Sequence, residues 1–133
     1  AYSKMLGTGL AIVAKQRIGL EVEAFSVVGD VKGKDVIMVD DMATTCGTLC
    51  AAANLLVEHG ASSIRAAVTH ATVTPQGVER LRQSPVKELV VTDTVPLGET
   101  GNLPVTVLSV GDLLGEAVLR IHNDQSVSSL FNP

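Results

Sequence analysis

Apolar positions along the chain change their period several times, and each change predicts an element. Ala1 to Leu6 reads as a helical segment, and Leu10 to Ala14 and Ala24 to Val28 read as short strands. Val36 to Asp40 is the central strand, because Val36-Ile37-Met38-Val39 is an unbroken apolar run of the kind buried on both faces. From Thr48 to His59 the period shifts to helical, with Leu49, Ala52, Leu55 and Leu56 on one stripe and Gly60 just past the end. Ile64 to Thr69 is a further strand. Thr74-Pro75 offers a cap and a first-turn proline for a helix through Leu81, and Glu88 to Thr92 and Val105 to Val110 are again strands. Ser109 and Asp112 form a capping-box pattern ahead of Leu113, Leu114, Ala117, Val118 and Ile121. Strands alternating with helices predict an α/β fold, a three-layer parallel sheet with helices on both faces. Pro96 to Pro104 is a loop within one domain covering residues 1–133.

The end of the central strand carries the candidate chemistry. Asp40 and Asp41 emerge at a carboxyl end, where open parallel sheets place their ligands, and two adjacent carboxylates could not remain in a dry core. There they can accept hydrogen bonds from vicinal hydroxyls or meet a cation shared with a phosphate. Thr44, Thr45 and Thr48 bring hydroxyl donors, Gly47 admits close backbone approach, and with Cys46 they open a helix whose first amides are free. The pattern points to a sugar phosphate. The plainer alternative is an acidic strand-to-helix turn with a threonine cap, found in many α/β proteins.

Composition narrows the setting. With 133 residues, 46% hydrophobic and 18% charged, the chain can bury one sizeable core, and with 2% aromatics that core is aliphatic. A formal charge of -4 argues against a general nucleic-acid surface, so an anionic ligand has to be held locally. No apolar run reaches the ~20 residues that span a bilayer, which excludes a membrane helix and predicts a cytoplasmic protein. Cys46 and Cys50 lie four apart on one helix face, an incomplete zinc site whose expected role is packing. His59 and His122 read as helix-end residues, and His70 as a hydrogen-bonded structural histidine.

The residue order goes further. An apolar run, Asp-Asp, three residues and Thr-x-Gly-Thr resembles the phosphoribosyl pyrophosphate loop of the type I phosphoribosyltransferase fold. Five other segments resemble one branch of it, the ribose-phosphate pyrophosphokinases, also called phosphoribosyl pyrophosphate synthetases. These are Lys15-Gln16-Arg17, Val28-Gly29-Asp30-Val31-Lys32-Gly33-Lys34, Val68-Thr69-His70, the run from Glu88 to Pro96, and the closing run from Glu116 to Phe131. The likeness covers essentially the whole chain. It departs at Thr44, Gln16 and Ala71, where the family often has Asp, Arg and Gly.

The resemblance implies a phosphoribosyltransferase-like domain equivalent to the carboxyl-terminal half of a two-domain synthetase, and hence a fragment of a longer enzyme that is inactive alone. It implies pyrophosphoryl transfer from ATP to ribose 5-phosphate with Mg²⁺, within a homo-oligomer of the full-length protein. Asp40, Asp41, Thr44, Thr45, Cys46, Gly47 and Thr48 would bind the sugar phosphate. Lys15 and Arg17, on a catalytic loop, would offset charge on the transferring group. Residues holding the metal are not assigned. The rival readings are a phosphoribosyltransferase, for which no inserted nucleobase hood is seen, and a non-catalytic regulatory subunit, which loss of Asp-Asp or Lys-x-Arg would have favoured.

Overall fold

A computed structural model describes residues 2–18 and 22–131; the side chains at positions 2, 15–18 and 22–25 fall outside that description. The element order is α1 (Tyr2–Leu6), β1 (Ile12–Ile18), β2 (Val22–Val28), β3 (Asp35–Ala43), α2 (Gly47–Glu58), β4 (Ser63–Ala71), α3 (Pro75–Arg82), β5 (Val86–Thr92), β6 (Val105–Leu108) and α4 (Gly111–His122), closed by a 3₁₀ turn, Ser128–Phe131. Strands β3, β4, β5 and β6 form a parallel sheet in chain order. Parallel neighbours require a crossover, supplied by α2 and α3 for the first two steps and by the loop of residues 93–104 for the third. The α/β class with a parallel sheet is therefore the observed one.

One part of the expected sheet is built differently. β1 and β2 pair with each other as an antiparallel hairpin, from Ile12 opposite Val28 to Ile18 opposite Val22, and make a separate two-stranded sheet. Both strands extend beyond the short apolar runs that announce them, because the polar residues after Ala14 continue the ladder. The base of the hairpin returns to the main body: Ala11, Val13 and Val27 pack with Val31, Ala53, Leu56 and Ile64.

Small aliphatic residues build the core, as the scarcity of aromatics requires. On α2 the buried positions are Leu49, Cys50, Ala52, Ala53 and Leu56, a stripe at helical spacing, and Ala53 is fully enclosed. Opposite them stand Ile64, Ala66 and Val68 of β4 and Leu89 and Val91 of β5, the alternate residues that face one side of the sheet. Val78 and Leu81 bring α3 onto this same layer. Gly60 ends α2 at φ +88°, a conformation an L side chain resists, and its amide closes on the Val57 carbonyl at 2.8 Å.

The other face is more open. Ile37 and Val39 of β3, Ala67 of β4, Val90 of β5 and Leu108 of β6 line a shallow apolar trough that Leu6 of α1 also borders. Its opposite end is polar: Arg65 pairs with Glu88 at 3.2 Å, and the Thr106 hydroxyl donates to the same carboxylate at 2.8 Å. Leu113, Leu114, Val118 and Ile121 of α4 are likewise exposed. No helix of the described residues is long and apolar enough to cross a membrane.

The start of α4 corrects the expected capping box. Val110 is the N-cap, without a side-chain bond from the helix itself, and its amide donates at 2.9 Å to the Asp93 carboxylate. Ser109 accepts from Gly111 N at 3.2 Å, and Asp112 makes no reciprocal bond in the cap. An acid from the end of β5 thus does what a local box would have done, because β6 ends at Leu108 and brings the chain beside Asp93.

Candidate functional site

β3 runs to Ala43, three residues past the expected end, because Met42 and Ala43 still pair with His70 and Ala71 of β4. Asp40 and Asp41 are consequently the sixth and seventh of the nine strand residues, inside the strand and not beyond its end. Asp40 stands opposite Val68 and borders the apolar trough with Ile37 and Val39. Both are solvent-exposed, and the Asp41 amide donates to the Asp40 carboxylate at 2.9 Å. Their remaining oxygens are acceptors open to the crevice at the strand ends.

The chain then turns through Thr44 and Thr45 into Cys46, which adopts the left-handed conformation at φ 54° and ψ 13°. That turn aims the first amides of α2 outward. Cys50 N closes the first helical bond on Cys46 O at 2.9 Å, and among the described residues no side chain caps the amides of Gly47, Thr48 and Leu49. Thr44, Thr45 and Thr48 are exposed around this opening, while Cys46 and Cys50 point into the core. The structure therefore brings Asp40, Asp41, Thr44, Thr45, Gly47 and Thr48 to one end of one strand and helix. Free amides at a helix start, ringed by hydroxyls, suit an anion.

Cys46 belongs to this loop by position, and its thiol is buried in the core with Sγ 4.0 Å from the Thr44 carbonyl. Burial raises its pKa from 9.0 to about 11, with the Cys50 thiol adding to the rise. Cys50 is raised in the same direction, again chiefly by burial. Two neutral buried thiols pack. Among the described residues no group of three His, Cys, Asp or Glu side chains is placed to hold a metal ion.

Lys15 and Arg17 fall in β1 rather than after a strand, their backbones opposite Phe25 and Glu23. Their side chains lie outside the described residues, so the geometry neither joins them to the β3 crevice nor separates them from it. His70 is partly buried at the end of β4, where its Nδ1 meets the Thr94 hydroxyl at 2.8 Å. Thr92 and Thr94 both direct hydroxyls to the Thr69 carbonyl, at 2.7 and 3.1 Å, so this cluster ties the ends of β4 and β5 together.

The residues that sequence reading missed are those that hold the loop from the side. Thr74 N donates to the Thr44 carbonyl at 3.0 Å, and the Arg80 guanidinium donates to the Thr45 carbonyl at 3.0 Å. Gly77 lies so close that a Cβ there would stand 2.6 Å from Thr44 O. No local signal marks Gly77 or Arg80, and Thr74 reads only as a helix cap, since the contact joins segments about thirty residues apart.

With this geometry in view, comparison with known proteins is decisive. Residues 11–132 match the family model described as the phosphoribosyl synthetase-associated domain. The chain belongs to that family. It is 46% identical to a ribose-phosphate pyrophosphokinase of Caldanaerobacter subterraneus over 98% of its own length and 42% of the relative's. Against the corresponding Nostoc protein it is 47% identical, covering 98% of the chain and 41% of the relative. A phosphoribosylpyrophosphate synthetase from Mycobacterium smegmatis has a similar solved structure, with a TM-score of 0.82 at 36% identity, over 92% of this chain and 40% of that one. The chain thus spans about two fifths of the length of these relatives, and the match confirms the synthetase resemblance carried by its motifs.

Proposed function

We propose that this chain is the carboxyl-terminal, ribose 5-phosphate-holding domain of a ribose-phosphate pyrophosphokinase, which transfers the pyrophosphoryl group of ATP to ribose 5-phosphate. The observation that carries the reading is the uncapped start of α2 beyond Cys46, faced by Thr44, Thr45 and Thr48 and flanked by Asp40 and Asp41. In this reading the amides of Gly47 to Leu49 and the threonine hydroxyls hold the 5-phosphate. The Asp40 and Asp41 oxygens accept from ribose hydroxyls, which only a sugar ligand supplies.

The reaction asks little covalent chemistry of the protein. The anomeric hydroxyl attacks the β-phosphorus of ATP, AMP leaves with the bridging oxygen, and the protein supplies positioning and charge. Lys15 and Arg17 are assigned to charge that develops on the transferring group, Lys15 as a compact cation and Arg17 as a fork able to bridge two oxygens. Mg²⁺ fits the donors present only as a shared ion, because two exposed carboxylates are too few for a protein cage but suffice beside phosphate oxygens and water. Bound there through Asp40 or Asp41, it would neutralise phosphate charge.

The adenine and triphosphate contacts are assigned to the part of a synthetase that this chain does not span. The open apolar trough beside Leu6, Ile37 and Val39 supports a reading in which more polypeptide packs on this domain. Assembly into a homo-oligomer and work in the cytoplasm belong to the same proposal.

Steady-state kinetics on the complete synthetase test it. The complete protein should release AMP on addition of ATP and ribose 5-phosphate, and Lys15→Ala should lower kcat by roughly a hundred- to thousandfold, the usual worth of a preorganised charge donor. Ribose 5-phosphate affinity should hardly change, since the 5-phosphate is held at the start of α2. A Lys15→Ala enzyme with near-normal turnover would return Lys15 to the solvated surface.

A further inference from the structure

Cys46 is not glycine, yet it holds a left-handed backbone, which an L residue enters at a cost of roughly 1–2 kcal/mol. Among the described residues no side chain caps the helix that follows. Within the loop of residues 44–46 one long sulfur contact, Cys46 Sγ to Thr44 O at 4.0 Å, supports the shape that aims the α2 amides outward, and the stronger holding groups come from elsewhere. They come from the segment after β4. Thr72 Oγ1 meets Thr44 Oγ1 at 3.2 Å, Thr74 N donates to Thr44 O at 3.0 Å, and Arg80 Nη1 donates to Thr45 O at 3.0 Å.

Arg80 is placed by α3. Thr74 caps this helix by accepting from Gly77 N at 3.2 Å, and Pro75 sets its first turn, so the helix start is fixed relative to the loop. Gly77 makes the approach possible: a Cβ there would meet Thr44 O at 2.6 Å and Val73 Cγ1 at 2.9 Å. One turn on, the guanidinium reaches across to Thr45 and lies close to Gly47, where a Cβ would be 3.3 Å from Nη1. Among the described residues no carboxylate forms an ion pair with Arg80, unlike Arg65, Arg82 and Arg120. Its positive charge is directed to a loop carbonyl, and it is felt there, lowering the pKa of both Cys46 and Cys50 against the rise that burial imposes.

We propose that Arg80 is a positioning residue for the phosphate loop, holding the Thr45 carbonyl so that the Cys46 turn presents the Gly47 to Leu49 amides to the 5-phosphate. The inference rests on the ribose 5-phosphate reading of that loop and adds to it a residue that need not touch the ligand. A carbonyl drawn toward a guanidinium on one side leaves the following peptide N–H groups facing the other. An anion at those amides then meets donors already aligned, which is the economy of preorganisation.

The test is a set of variants in the complete synthetase, with ribose 5-phosphate KM, ATP KM and melting temperature measured for each. Arg80→Ala should raise the ribose 5-phosphate KM about tenfold or more, the scale of one charge-assisted hydrogen bond, while the ATP KM stays within about twofold. Arg80→Lys, which keeps the charge and a donor, should recover most of the loss. Arg82→Ala is the control for charge on the same helix, because Arg82 pairs with Glu79 and not with the loop, and it should change neither KM. Raising ionic strength separates positioning from attraction: a held loop keeps its advantage at about 0.5 M salt, whereas a distant charge is screened. If Arg80→Ala proves unstable, Gly77→Ala interrogates the same contact from α3 and should raise the ribose 5-phosphate KM in the same selective way.

The inference is overturned if folded Arg80→Ala or Gly77→Ala keeps the wild-type ribose 5-phosphate KM, or if the Arg80→Ala loss disappears at high salt. A wild-type protein that shows no saturable use of ribose 5-phosphate would instead defeat the reading of the loop itself.

Discussion

At the scale of single residues, Cys46 shows how one side chain and its backbone can serve different ends. Its backbone turns the chain into α2, and its thiol fills the core beside Leu49, Ala66 and Val68. A pKa raised from 9.0 to about 11 means that the folded state keeps the proton where the unfolded state would lose it. The stability tied to this thiol is complete below pH 9 and declines as pH rises from there toward 11. At pH 7.5 neither Cys46 nor Cys50 should react readily with an aromatic disulfide reagent. Labelling of the native protein should run about a hundredfold or more slower than in denaturant, limited by local opening. Fast stoichiometric labelling of the native state would show an accessible thiol instead. The gathering of Asp40, Asp41, Thr44, Thr45, Gly47 and Thr48 at one strand end was legible because strand, carboxylates, hydroxyls and helix follow one another without interruption. Arg80 and Gly77 were not, since one arginine and one glycine in a short amphipathic helix look like any others until β3 and β4 lie side by side.

At the scale of elements, the periodic segments were the readable ones. α2, α3, β4 and β5 lie within a few residues of where the apolar spacing puts them, because each buries one continuous face. Errors came where long-range pairing overrides local pattern. β3 continues through two aspartates since β4 offers partners up to Ala71, and β1 continues through Lys15 and Arg17 because β2 returns alongside it. The start of α4 is a third case, stabilised by Asp93 from β5 instead of by its own sequence. Hydrogen bonds from Ser109 and from the Val110 amide hold the Asp93 carboxyl below its ordinary range. A depressed carboxyl contributes stability above its unfolded pKa and loses it as pH falls through the folded value, so the contribution fades below about pH 4. Asp93→Asn should flatten the acid limb of a stability-pH curve and increase amide exchange at Val110 to Leu114. An unchanged acid limb and unchanged exchange would mean that α4 starts independently of β5.

For the whole molecule, the layer packed by α2 and α3 supplies the stability, and the strand ends beyond it supply the site. Leu56 of α2, 2% exposed against Val31 and Ile64, is a point where a large-to-small change falls in the range of about 2–5 kcal/mol. At the other end of α2 lies the loop after β3, which we propose holds a phosphate carrying ribose. The most direct measurement is a calorimetric titration of the folded 133-residue chain with ribose 5-phosphate, inorganic phosphate and ribose, repeated on Asp40→Asn. Ribose 5-phosphate should bind at millimolar levels or better, phosphate more weakly and ribose undetectably, and Asp40→Asn should weaken the sugar phosphate more than phosphate because only the sugar uses the carboxylates. A chain that is folded by circular dichroism yet binds neither ribose 5-phosphate nor phosphate at those levels would contradict the account.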